Sequence, residues 1–225
     1  MCNDLFSMDL KIQDSYILKQ NLGQKIIKRL LDIVISVPLL IIFFPIILFF
    51  CILIRLESKG NPIYKQTRFG YKGTYFTVYK LRTMYSHSSD GNLSAPKDGD
   101  VRVTKVGKIL RKTSLDEIPQ LLNVIKGDMS IIGPRAVPEK ELDLRIGQML
   151  INHPEKEEFF KQAMHIRMLA KPGISGMAQA YGRSSLTVEE ATGYDVYYAM
   201  NYSLGLDVKI LFKTIDTVLF QRGVN

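Results

Sequence analysis

From Ile33 to Ile54 the chain reads IVISVPLLIIFFPIILFFCILI, 22 residues without a charge. At about 1.5 Å per helical residue this stretch is long enough for a hydrocarbon core of roughly 30 Å. It is too long for the apolar part of a signal peptide and lacks a small-residue cleavage site. The simplest reading is a single spanning helix, but two features point elsewhere. Pro38 and Pro45 fall inside the run, and each removes a backbone donor and crowds the preceding turn. Both flanks are also basic, with Lys25, Lys28 and Arg29 before and Arg55, Lys59, Lys65 and Arg68 after. Lysine and arginine accumulate on the cytoplasmic side of a membrane segment. Two cytoplasmic flanks require a segment that enters and returns on one face, bent near Pro38 or Pro45, with the freed carbonyls satisfied locally. Spanning and re-entrant geometries both stay open on these grounds.

The remaining chain reads as a mainly helical α+β domain. Residues 1–24 form a polar arm, 25–58 the membrane helix, and 59–225 a domain on the cytoplasmic side. Tyr, Phe, Thr and Val alternate around a glycine-containing turn over 61–84, which predicts a β-hairpin with strands near 62–68 and 74–80. Residues 85–100 are rich in Ser, Gly and Asp and predict a long loop. Helices are expected over 104–113, over 115–126 ending at Gly127, over 138–168 with a break at His153-Pro154, and over 187–202. The segment 170–183 is turn-rich. The last helix, 207–220, is amphipathic: Asp207 is placed as its N-cap, and Val208, Leu211, Phe212, Ile215 and Leu219 share one face. That face suits either core packing or the membrane interface. Cys2 and Cys51 form no disulfide or zinc pattern, which suits a reducing compartment. The net charge of +8 favours anionic partners such as nucleic acid, sugar nucleotides or an anionic bilayer.

Chemistry concentrates in LRKTSLDEIPQLLNVIKGDMSIIGPRAVP, residues 110–138. Asp116 and Glu117 stand side by side. As pure structure, Ser114 with Glu117 is a capping box, although Pro119 then sits where its missing N–H is needed; with Asp116 as the cap, Pro119 is harmless. Around the pair lie Arg111, Lys112, Lys126 and Arg135, and YKLRTM places Lys80 and Arg82 two apart on a strand-like segment. Paired carboxylates among cations beside a membrane suit metal-assisted phosphate chemistry. Mg²⁺ takes one or two carboxylates plus substrate phosphate oxygens, guanidinium groups clamp the remaining oxygens, and an ionised Asp can attack phosphorus.

KRLLD ahead of the apolar run, YKLRTM, RVTKVGKILRKTSLDEIPQLLNVIKGDMSIIGPR, KPGISGMAQAYGR and DVYYAMNYSLGLDVKIL together resemble the bacterial sugar transferases, the monotopic phosphoglycosyl transferases, over about residues 25–223. The resemblance implies a minimal catalytic form with a re-entrant helix in the cytoplasmic leaflet of the bacterial inner membrane and amphipathic interfacial helices. It implies transfer of a phosphosugar from a UDP-sugar to undecaprenyl phosphate, release of UMP, and a place at the first membrane step of capsule, exopolysaccharide, O-antigen or glycoprotein glycan assembly. By the same resemblance Asp116 is the nucleophile, Glu117 with Asp116 holds Mg²⁺, and Asp195 is a supporting carboxylate. Lys80, Arg82, Arg111, Arg135 and Arg183 are placed on the phosphates and nucleotide. Membrane lipids are implied partners, nucleic acid is not, and homodimerisation and downstream glycosyltransferases are left open. This chain departs from the family pattern at Phe44 before Pro45, at Ala136 after Arg135, at Met177 and at Tyr181.

Two other classes compete. A membrane-anchored protein binding nucleic acid or anionic lipid would use interchangeable basic residues and has no need of the acidic pair. A metal-dependent phosphohydrolase would cleave UDP-sugar without a lipid acceptor. His87, His153 and His165 are isolated and read as loop or surface residues, and Tyr197 and Tyr198 as packing or interfacial aromatics.

Overall fold

The computed structural model describes residues 22–86, 100–182 and 185–219. Residues 1–21 of the arm, most of the polar loop with His87, and Arg183 therefore lie outside the described residues, and residues 22–24 belong to the helix that follows. Helix α1, Leu22–Glu57, continues past both Pro38 and Pro45. At about 1.5 Å per residue, its 36 residues reach about 54 Å if straight. Strands β1 (Ile63–Phe69) and β2 (Tyr75–Leu81) form the expected antiparallel hairpin, joined through a short 3₁₀ turn. Then come α2 (Lys105–Thr113), a 3₁₀ turn over Leu115–Gln120, and α3 (Leu121–Lys126), which ends on Gly127 at φ 98°. The glycine accepts that left-handed conformation without a Cβ penalty.

Helices α4 (Glu139–Asn152) and α5 (Glu157–Met168) make up the predicted 138–168 segment, divided at the expected His153-Pro154. They pack with α6 (Met177–Tyr181), α7 (Val188–Met200) and α8 (Leu204–Leu219) around Phe160, Met164, Ile166, Met177, Val196, Tyr198 and Ile210, all nearly inaccessible. The turn-rich segment hides a strand. Ser130–Ile132 (β3) pairs in parallel with Gly173–Ser175 (β4). A Cβ on Gly133 would lie 2.0 Å from the Lys171 carbonyl oxygen, so only glycine permits this approach. Three-residue strands are too short to show a period, which is why composition reads them as turns.

Two assignments change. Asp207 does not cap α8, which starts earlier; the Ser203 Oγ instead accepts from the Leu206 N–H at 3.2 Å. Asp207 is spent on Lys28 Nζ at 2.6 Å and on the Tyr198 hydroxyl, which donates at 2.7 Å. Nor does Ser114 open a capping box. It closes α2 in the left-handed region at φ 57°, and neither Ser114 nor Asp116 caps the turn that follows. A genuine capping box stands elsewhere, at Thr187 and Glu190 ahead of α7.

Helix α1 is not a core helix. Its middle is exposed, with Ile41, Ile42 and Phe44 at 68%, 64% and 59%, and its most apolar 18-residue stretch has a mean hydropathy of 3.2, enough by length and composition for lipid. Its ends, by contrast, dock on one folded body. Near the start, Lys28 pairs with Asp207, Arg29 donates to the carbonyls of Val124 and Ile125, and Asp32 is buried against β3. Near the finish, Ile54 packs on Leu81 and Leu110, with Ile47, Phe50 and Cys51 around them. Three of the flanking cations counted for topology, Lys28, Arg29 and Arg68, are thus engaged by protein. On α8 the stripe of Val208, Phe212 and Ile215 faces outward rather than into the core, which Ile210 fills. Leu211, of the same predicted face, packs against that core, so the face is divided between core and surface.

Candidate active site

The hairpin register determines which cations meet. Tyr64 faces Lys80, and Arg68 faces Phe76, so Tyr64, Gln66, Arg68, Phe76, Val78 and Lys80 share one side of the hairpin. The 3₁₀ turn that follows α2 packs on β2 and delivers the carboxylate pair to that side. Lys80 Nζ lies 2.5 Å from Glu117 Oε1, and Arg135 NH1 lies 3.6 Å from the same oxygen. Asn123 stitches the platform beneath: it is fully buried, accepts from the Tyr79 N–H at 3.2 Å, and donates to the Thr77 carbonyl at 2.7 Å.

The two acids behave oppositely. Burial pushes Asp116 up to about 6, helped by the negative charge of Glu117 and opposed by Lys80, Arg111 and Arg135. Burial also works against ionised Glu117, but the charges of Lys80 and Arg135 and the Lys80 hydrogen bond outweigh it and hold the acid down at about 2. Glu117 is a permanent anion, while Asp116 titrates close to neutrality. Burial lowers Lys80 and Arg68, the latter to about 10, with Arg135 adding repulsion on Arg68. Four cations, Arg68, Lys80, Arg111 and Arg135, therefore surround two carboxylates.

Not every expected residue arrives. Asp116, Glu117, Lys80, Arg111 and Arg135 converge. Arg111 comes from the last turn of α2, where its Nε donates to Thr83 Oγ1 at 2.9 Å. Arg82 lies one residue past the strand end and turns to the finish of α1. It donates to the carbonyls of Ser58 at 2.8 Å and Lys59 at 2.9 Å, and to Ser86 Oγ at 2.9 Å. It thus satisfies carbonyls of the chain just past the end of α1 rather than pointing into the carboxylate site. Asp195 is 2% exposed and gripped by Arg167 through Nε at 3.1 Å and NH2 at 2.5 Å. Arg167 NH2 also donates to the Arg135 carbonyl at 2.8 Å, so Asp195 supports the site from behind the Arg135 backbone. Arg183 lies outside the described residues.

Sequence reasoning missed Arg68 and Arg167. Arg68 was counted only as a membrane flank; its signal was the same period-two spacing that selected Lys80, but the register that makes the two neighbours was hidden. Arg167 sits mid-helix with nothing local to distinguish it. Tyr198, read as a packing aromatic, is buried, and its single hydroxyl proton is shared between Asp207 Oδ1 at 2.7 Å and the Ile132 carbonyl at 3.0 Å.

No cluster of three or more His, Cys, Asp or Glu side chains exists among the described residues. Any divalent ion here would have only the Asp116–Glu117 pair. That donor set fits Mg²⁺, which completes its shell with phosphate oxygens and water, and does not fit an all-protein Ca²⁺ or zinc cage.

Residues 23–221 match the sequence profile of the bacterial sugar transferase family. Among curated relatives, a UDP-N-acetylgalactosamine-undecaprenyl-phosphate N-acetylgalactosaminephosphotransferase of Aeromonas hydrophila is 41% identical over 88% of this chain and 44% of its own length. An uncharacterized sugar transferase of Bacillus subtilis is 40% identical over 88% of this chain and 90% of its own. A UDP-glucose:undecaprenyl-phosphate glucose-1-phosphate transferase of Klebsiella pneumoniae is 37% identical over 84% of this chain and 39% of its own. The chain thus spans less than half of two of these relatives and nearly all of the third. The carboxylate pair, its cationic ring and the long apolar helix docked beside them are carried on a chain that belongs to the bacterial sugar transferase family.

Proposed function

We propose that the protein transfers a phosphosugar from a UDP-sugar to undecaprenyl phosphate at the cytoplasmic face of the bacterial inner membrane, releasing UMP. The observation that carries this reading is the division of labour between Asp116 and Glu117. A carboxylate titrating near 6 is ionised at neutral pH yet poorly solvated, which suits a nucleophile. The surplus of cations around the pair suits a diphosphate that arrives with its own negative charge. An Asp116 oxygen attacks the phosphorus bearing the sugar. The bond to the bridging oxygen breaks, and that oxygen leaves with UMP. The phosphate oxygen of undecaprenyl phosphate then attacks the same phosphorus, and Asp116 departs as a carboxylate. Arg68, Lys80, Arg111 and Arg135 stabilise the charge on the transferring group. Mg²⁺ held by Glu117 and Asp116 would add charge neutralisation on the diphosphate. The named relatives act on different sugars, so the donor class is a UDP-hexose rather than one sugar.

Both ends of α1 dock on one body, which supports a helix that returns to the face it entered. A helix crossing the bilayer would part from that body at one end. Cysteines at Leu22 and Lys108, each introduced into a background lacking Cys2 and Cys51, should both resist an impermeant thiol reagent in intact cells; labelling at Leu22 alone would reject this topology. For the chemistry, UMP release is measured from a panel of UDP-sugars. Without undecaprenyl phosphate the enzyme should release at most one UMP per active site and keep the phosphosugar on Asp116; with it, turnover should follow. Sustained UMP release without lipid would instead identify a phosphohydrolase. Excess chelator should abolish turnover, and full activity in chelator would remove Mg²⁺ from the scheme.

A further inference from the structure

Between residues 15 and 89 the chain has only two acids, Asp32 and Glu57, and they bracket the apolar run. Both stand among basic neighbours, where a solvated counter-charge would be expected. Neither is used that way. Asp32 is 5% exposed, and its Oδ1 accepts from Ser130 Oγ at 3.0 Å and from the Ile131 N–H at 3.1 Å. Those residues open β3, which runs straight into Gly133, Pro134 and Arg135. Glu57 reaches α2 instead. Its two oxygens accept the N–H groups of Lys105 at 2.6 Å and Val106 at 3.0 Å, while Thr104 Oγ1 takes that of Gly107 at 2.9 Å. Three donors that open α2 are thereby satisfied, two of them by a carboxylate from the membrane helix, with favourable charge at the helix start. Two turns later the same rigid helix presents Arg111.

Each acid is therefore tied to backbone N–H groups a short, stiff path from one arginine, and the two paths end on different arginines. We propose that Asp32 and Glu57 are positioning residues: fixed at either end of the apolar run, they set where Arg135 and Arg111 stand around the donor diphosphate. The membrane helix is then a brace for the phosphate site as well as an anchor. This rests on the reading above that Arg111 and Arg135 hold the donor phosphates.

The test is UDP binding to the full-length protein in detergent, measured by calorimetry for single and paired variants. Asp32→Asn and Glu57→Gln should each weaken UDP binding about 5- to 30-fold, and Glu57→Asp, one methylene short, should lose less. Residues acting through a shared partner are non-additive, and independent ones multiply. Glu57→Gln should therefore add less than about twofold to Arg111→Lys but its full effect to Arg135→Lys, and Asp32→Asn should show the opposite pattern. Arg29→Gln removes a docking contact that is hydrogen-bonded neither to β3 nor to α2; it should lower the melting temperature and leave UDP affinity within about twofold. If Arg111→Lys and Arg135→Lys bind UDP like the wild type, the donor-site reading fails. If they weaken binding but all four pairs multiply, or if Arg29→Gln weakens it as much as Asp32→Asn, the positioning role is overturned and α1 is only docked.

Discussion

Two ion pairs in this molecule share a 2.5 Å contact and little else. Arg167 and Asp195 are 3% and 2% exposed, one cation to one anion, enclosed by the helical core. Lys80 and Glu117 are 14% and 21% exposed and sit in a crowd: Arg68, Arg111 and Arg135 add positive charge, and Asp116 adds a second acid that burial pushes toward neutrality. A pair that exists for stability balances its charges, because each unpaired charge in a poorly solvated place costs several kcal/mol. A pair inside a substrate site tolerates an imbalance that the ligand will correct. The surplus cations around Glu117 are what the proposed anionic donor would neutralise, and the balanced junction at Asp195 acts as scaffold.

The sharpest way to break this comparison is Asp116→Asn. The amide keeps the size and cannot attack phosphorus, so turnover should fall at least about 1,000-fold with the fold intact. The retained phosphosugar in the lipid-free reaction should vanish with it, as mass spectrometry of rapidly quenched protein would read. An active Asn variant would return Asp116 to a structural role.

At the balanced pair the prediction reverses. Asp195→Asn or Arg167→Met leaves the partner charge buried and should cost about 3–5 kcal/mol, seen as a large drop in melting temperature. Replacing both residues with Leu and Met should recover much of that loss. Because Arg167 also holds the Arg135 carbonyl, the double variant should regain stability before it regains activity. A double variant with full turnover would show that this junction does not reach the site. Glu117→Gln lies between the two cases. It strands Lys80 and should cost about 2–3 kcal/mol and most of the activity, in line with a hydrogen-bonded charge that also serves substrate.

Local and periodic features were legible in the sequence. The hairpin, α2, the Gly127 stop and the His153-Pro154 break all follow from turn chemistry and alternation, which act over a few residues. The carboxylate pair was legible as chemistry because two acids among cations are unusual next to lipid. What stayed hidden depends on register and long-range contact. Lys80 and Arg82 look equivalent until the strand ends at Leu81 and sends Arg82 to the carbonyls just past the end of α1. Asp207 looks like an N-cap until Lys28, 179 residues away in sequence, claims it. Ser114 looks like a capping residue because its spacing to Glu117 is right, yet the chain reverses there through a left-handed conformation that spacing cannot reveal. The basic flanks were read as topology signals, while Lys28, Arg29 and Arg68 are bound by protein.

A moderate expected effect lies in the rate profile. Protonated Asp116 is no nucleophile, so kcat/KM should fall about tenfold per pH unit below an apparent pKa near 6. Glu117, held at about 2, should contribute nothing to that limb. A limb near 4 would mean that Asp116 is better solvated than the site suggests.

The smallest effect concerns stability, and it separates the two carboxylates. Asp116 rises from 3.8 to about 6 on folding, so the folded protein binds more protons between those values and loses stability as pH climbs through them. Glu117 shifts the other way, from 4.5 to about 2; its contribution is present above pH 4.5 and disappears as pH falls toward 2. Asp116→Asn deletes the first dependence and leaves the second. The variant should match the wild type below about pH 4, pull ahead between pH 4 and 6, and hold a lead of about 1–3 kcal/mol at pH 7. Melting temperatures of both proteins in one detergent from pH 4 to 8 would trace that difference. A variant both inactive and more stable at neutral pH marks an acid kept at a cost to the fold for the sake of reaction. A variant less stable than the wild type at pH 7 would place Asp116 with Asp195, among the acids that hold the structure together.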